Sequence, residues 1–129
     1  MKELRRTTRS YIFHGLFIIL ATYFAYSNGT SMGRYSWVAI GLVASISFVS
    51  VLIKRNYFES GDGKLFINKE FFRTQSIEIS KIVKVIIEPG PFKSSSILLK
   101  DNSRIKFNDS NLEFNELKRF MSSLNIMVE

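Results

Sequence analysis

Residues 35–53 read Y-S-W-V-A-I-G-L-V-A-S-I-S-F-V-S-V-L-I, with no Asp, Glu, Lys or Arg among them. A helix needs ~17–25 apolar residues to cross a hydrocarbon core of ~30 Å, and this run is long enough. A second apolar run precedes it: residues 11–26, Y-I-F-H-G-L-F-I-I-L-A-T-Y-F-A-Y, inside a stretch from Ser10 to Gly33 that is also free of charge. This one is shorter and must recruit Ser10 or Ser27, or let Arg9 snorkel. Tyr11, Tyr26, Tyr35 and Trp37 stand at the ends of the runs, where amphipathic rings prefer the interface. Two transmembrane helices are therefore expected, at about 11–27 and 35–53.

Between them, Ser27-Asn28-Gly29-Thr30-Ser31-Met32-Gly33-Arg34 is short and polar and predicts a tight reversal. Lys2, Arg5, Arg6 and Arg9 precede the first run, Lys54 and Arg55 follow the second, and the loop holds Arg34 alone. Basic flanks favour the cytoplasm, so both termini are expected inside and the loop outside, with residues 1–10 as a basic cytoplasmic N-terminus. Small residues let helices approach in lipid, which nominates Ala21, Ala25, Gly41 and Ser45 as the helix–helix seam. Two other readings stay open. The first run could be a signal peptide ending near Ala25-Tyr26-Ser27. The pair could also be a buried hairpin of a soluble protein, although neither run has a polar face to turn to water.

The whole chain has 129 residues and a formal charge of +7. Residues 1–53 carry five basic and one acidic residue (+4), and residues 54–129 carry thirteen and ten (+3). Much of the excess thus lies beside the apolar runs, which argues against nucleic-acid binding as its cause. There is no Cys, which excludes disulfides and thiol chemistry.

From residue 57 onward the pattern changes to short strands and turns. Gly61-Asp62-Gly63 is a turn, Leu65-Phe66-Ile67 a strand, and Asn68-Lys69-Glu70 a second turn. A strand is expected from Phe71 to Ile79, with Ile77 and Ile79 on one face. Ile82 to Glu88 is the most apolar strand and is expected to be central. Pro89-Gly90-Pro91 breaks the ladder. Ser96 to Lys100 and Arg104 to Asn108 form a hairpin around Asp101-Asn102-Ser103. Ser110-Asn111-Leu112-Glu113 has capping-box spacing, and Leu117, Phe120, Met121 and Leu124 make one helical stripe that would cover the sheet.

A transmembrane hairpin, then D-G-K-L-F-I, I-E-I-S-K-I-V-K-V, the hairpin I-L-L-K-D-N-S-R-I-K-F and a final helix resemble bacterial membrane proteins with a PH-like domain. Asp62-Gly63 with Leu65 and Ile67, and Ile79-Ser80-Lys81-Ile82 with Val85, carry the resemblance, which covers about residues 57–125. It implies an α+β fold: the helical hairpin, then a cytoplasmic PH-like antiparallel sheet or partial barrel closed by a C-terminal helix. The stretch is short for a seven-stranded PH barrel.

Chemistry-bearing residues are scarce. His14 is the one histidine, and no carboxylate lies in either apolar run. No His or Cys follows residue 53, so no catalytic residue, metal ligand or cofactor site is nominated, and the chain is expected not to be an enzyme. The interaction candidates are Lys69, Arg73, Phe92 and Lys93, the last two in a loop expected to be exposed. Lys69 and Arg73 are similar in place to basic positions through which some PH domains hold phosphoinositides. The expected partners are the lipid bilayer and a protein partner, with self-association open. The expected function is a membrane-anchored scaffold or interaction module, with immunity or envelope protection implied by family analogy alone. The alternative is an accessory subunit of a transporter or channel, and the serines on the second helix hint at it.

Overall fold

A computed structural model describes residues 2–88, 94–109 and 112–129. Two long helices, α1 (Thr8–Ser27) and α2 (Ser31–Ile53), form an antiparallel pair. Both are long and apolar enough to cross a membrane. Three residues reverse the chain between them. The Asn28 side-chain oxygen accepts from the Thr30 N–H and hydroxyl, both at 3.1 Å, and the Thr30 hydroxyl caps α2 by accepting from the Gly33 N–H at 3.1 Å. A Cβ on Gly33 would fall 2.4 Å from the Asn28 side chain, so this turn needs glycine there.

The remainder folds as two four-stranded sheets and a helix. The first sheet has the order β1 (Lys2–Arg5), β2 (Asn56–Gly61), β3 (Lys64–Asn68), β4 (Thr74–Glu78), all antiparallel. A 3₁₀ turn (Ile79–Lys81) leads into the second sheet. It contains β5 (Ile82–Ile86), β6 (Ser95–Leu99), β7 (Arg104–Phe107) and β8 (Met127–Val128) in the order β7-β6-β5-β8. The β5–β8 pair is parallel and the others are antiparallel. The sheets do not close into a barrel.

Residues 2–5, read in the sequence as a basic flank, are an edge strand of the first sheet, with Leu4 opposite Phe58. Chain segments before and after the helical hairpin therefore pair with each other. The β4 strand starts at Thr74 rather than Phe71, because Phe71 and Phe72 take positive φ and turn the chain. The last helix, α3 (Phe114–Ser123), starts later than the capping-box spacing suggests. Glu113 is its N-cap and accepts from the Asn115 N–H, while Ser110 and Asn111 lie outside the described residues.

Alternation explains the core. Leu4, Phe58, Leu65, Ile67 and Ile77 of the first sheet face Val85, Ile97 and Phe107 of the second, and Leu117, Phe120 and Met121 of α3 cover them. Phe58 joins the layers: its ring meets Phe107 edge-on at 5.4 Å and stacks with Phe120 at 6.2 Å.

Candidate functional site

The helices meet the sheets at Arg6. Its backbone N–H donates to the Arg55 carbonyl at 3.0 Å, which ties the entry of α1 to the exit of α2. Its side chain is fully buried. The guanidinium donates through Nε to the Lys54 carbonyl (3.2 Å) and through Nη2 to the Asn68 carbonyl (2.5 Å), lies 4.9 Å over the Tyr57 ring, and pairs with Glu70 at 3.8 Å. One planar fork thus holds the foot of α2, the end of β3 and the turn beyond it. Burial pulls its pKa below the ordinary value while Glu70 pushes it back, and the group stays charged at neutral pH. Tyr57 is 2% exposed, and its hydroxyl accepts from the Asn108 N–H at 3.0 Å. Burial pushes its pKa up to about 12.

Beside this joint lies the β3–β4 turn. Lys69 and Arg73 bracket it, the Lys69 N–H donating to the Arg73 carbonyl at 2.7 Å and the Arg73 N–H to Glu70 at 3.5 Å. Between them, Phe71 and Phe72 both have φ 59° and are 45% and 49% exposed. The Phe71 N–H donates to the Ser50 hydroxyl at 2.9 Å, and that hydroxyl donates to the Ser47 carbonyl at 2.6 Å. The turn is thereby pinned against α2. Phe71 also lines an apolar groove of about 690 Å³ between the helices, with Phe13, Phe17, Ile40 and Val43.

Lys69 and Arg73 therefore share a turn but not a pocket. Lys69 lines a small groove with Lys106, and Glu70 and Asp109 in the same groove balance the two charges. Arg73 is exposed, its Nε donating to the Glu70 carbonyl at 3.3 Å. Phe92 and Lys93 lie outside the described residues. In the helix pair, Ala21 is 1% exposed, and a Cβ on Gly41 would meet its methyl at 3.7 Å. Ser45 is half-buried, with its hydroxyl donating to the Gly41 carbonyl at 2.8 Å, and Ala25 is half-buried near the loop. His14 bonds through Nδ1 to the Ser10 carbonyl at 2.7 Å and stacks with Phe48. Among the described residues no three His, Cys, Asp or Glu side chains converge as a metal site would require.

Sequence reasoning missed Arg6, Ser50 and the Phe71-Phe72 pair. Arg6 was hidden among topology-determining charges, and Ser50 among other helix serines. For the phenylalanines a signal existed: two adjacent large apolar residues break the alternation that a half-buried strand needs. The chain matches no known family model, no curated protein and no solved structure.

Proposed function

We propose that this chain is a membrane-anchored interaction module without enzymatic activity, whose two helices cross a bacterial cell membrane and whose PH-like domain meets a protein partner in the cytoplasm. The observation that carries the anchoring is exposure. Only 11% and 17% of the most apolar windows of α1 and α2 are buried in the protein. A core helix of a soluble protein buries its apolar side chains, whereas lipid solvates them. Ile19, Leu42 and Ile53 are all more than half exposed.

Two further features support the layout. Pairing of β1 with β2 requires both feet of the hairpin to emerge on one side. It also opposes removal of α1 as a signal peptide, because cleavage would take β1 and Arg6 out of the fold. The cluster Lys2, Arg5, Arg6, Arg9, Lys54 and Arg55 at the feet, against Arg34 at the loop, favours a cytoplasmic domain. The succession β1–β4, β5–β7, α3 supplies the seven strands and final helix of the PH-like reading. On that reading β1 is the strand that residues 57–108 lack, and the helical hairpin is an insertion between the first two strands. An immunity or envelope-protection role is the family-level version of this function.

The accessory-subunit reading is favoured by the open apolar groove between α1 and α2, which a neighbouring helix would fit. Crosslinking in native membranes, followed by mass measurement in detergent, separates a cytoplasmic partner from a membrane one.

The cysteine-free chain makes the topology directly testable. Gly29→Cys should react with an impermeant maleimide on intact cells, and Ser103→Cys only after permeabilisation. The protein should stay in the pellet after alkaline carbonate washing. Release into the supernatant, or labelling of Ser103→Cys on intact cells, overturns the proposal.

A further inference from the structure

The two hairpin turns of the first sheet use the same left-handed backbone with very different residues. At β2–β3 the positive-φ positions are Asp62 (53°) and Gly63 (72°), the residue types such turns favour. At β3–β4 they are Phe71 and Phe72, both at 59°. Bulky L-residues are strained there, and each ring leaves nearly half its surface exposed. Neither conformational preference nor burial within the chain accounts for two phenylalanines at this point.

Their position does. The Phe71 N–H is bonded to Ser50, three residues before the end of α2 at Ile53, or about 4.5 Å along the axis. The 23 residues of α2 span about 34 Å, slightly more than the ~30 Å hydrocarbon core. A hairpin that crosses the bilayer thus places the turn at the edge of the hydrocarbon on the side of its feet. At that depth an unpaired backbone N–H costs several kcal/mol. The Phe71 N–H is instead passed to the Ser50 hydroxyl, and the hydroxyl proton to the Ser47 carbonyl. Phe71 extends the apolar surface of Phe13, Phe17 and Val43. Lys69 and Arg73 flank the rings, and Lys54 and Arg55 stand at the foot of α2, as cations do beside anionic headgroups.

We propose that the β3–β4 turn is a lipid-inserting element, with the Phe71 and Phe72 rings seated at the acyl boundary of the cytoplasmic leaflet beside α2. This rests on the membrane-spanning reading and adds to it: the β domain is then held at a fixed height and orientation on the bilayer rather than swinging from the helices.

The test uses the full chain in mixed phosphatidylcholine–phosphatidylglycerol vesicles containing lipids brominated near the carbonyl end of the acyl chain. Trp37 is the single tryptophan. It reports insertion of the helices in the unaltered chain, and in a Trp37→Phe background Phe71→Trp and Phe72→Trp report the turn. Tryptophan preserves aromatic bulk and adds no new backbone strain. Blue-shifted emission that is lost on bromination is expected from both turn variants, and insertion of Trp37 should give it a blue-shifted emission too. If Trp37 is blue-shifted while either turn variant emits like an indole in water, or ignores bromination, the proposal is overturned and the spanning reading stands; a partner protein then becomes the cover for the rings. If Trp37 itself emits as in water, both readings fall together.

Discussion

Tyr57 shows how one side chain sets a limit on the whole fold. The folded domain holds the phenolic proton with a pKa of about 12, because burial disfavours the anion. An unfolded chain releases that proton near ~10. The folded state therefore binds the proton more tightly, and this contribution is complete below the unfolded value. It is lost as pH rises through the interval up to about 12, and a difference of roughly two units is worth about 3 kcal/mol. Alkaline unfolding followed by circular dichroism should show a limb in that interval that Tyr57→Phe lacks. The same variant should lose about 1 kcal/mol at neutral pH with its hydrogen bond to Asn108. Phe71 and Phe72 present the opposite case, residues at odds with their own backbone. The pair Phe71→Asn, Phe72→Gly should raise the thermal stability of the β domain in detergent by about 1–2 kcal/mol, by relieving left-handed strain. Unchanged or lower stability would mean that the rings contribute more to folding than their exposure implies.

At the scale of elements, the decisive contacts are joints. Arg6 bridges two backbone carbonyls on different elements and a carboxylate on a third. Truncating one partner of a buried charge pair costs about 3–5 kcal/mol, so Arg6→Ala should lower the denaturation midpoint of the β domain strongly. Arg6→Lys should recover little of the loss, because an ammonium cannot span both carbonyls as a planar fork does. Equal stability of the two variants and the unaltered chain would remove Arg6 as the joint. Between the helices, the Gly41 position faces Ala21 at 3.7 Å, ordinary contact for one added methyl and too close for a branched side chain. Gly41→Ala should be tolerated, whereas Gly41→Leu should part the helices. A single-cysteine pair placed across the seam, scored by crosslinking, distinguishes the two.

For the whole molecule, the pairing of β1 with β2 makes the hairpin a closed insertion in the β domain rather than a leader attached to it. Removing residues 1–5 should leave two apolar helices that still sediment with membranes. It should also expose the edge of β2 and make the β domain sensitive to protease. If the shortened protein resists protease as well as the full chain, β1 contributes little beyond its hydrogen bonds. The same closure restricts motion. A domain fastened to both feet of the hairpin, through β1 and through β2, has two attachments and little freedom to rotate.

The sequence by itself determined the elements whose signal is local. Charge-free runs marked the two apolar helices, Asp62-Gly63 and Asp101-Asn102-Ser103 marked turns, and alternation around Ile77, Ile105 and Phe107 marked faces. The stripe through Leu117, Phe120 and Met121 marked α3. Each rests on spacing along a few turns or strand residues, which periodicity preserves. Tertiary structure alone decided the rest, because it depends on contacts between residues far apart in the chain. Nothing in K-E-L-R announces a strand, since its partner at Phe58 lies beyond both helices. Arg6 reads as one more basic flank until Lys54, Asn68 and Glu70 surround it. The direction of the Phe71-Phe72 turn came from Ser50 of α2. A short edge strand, a buried guanidinium and a strained turn are stable only through what packs on them, and local sequence does not encode that neighbourhood.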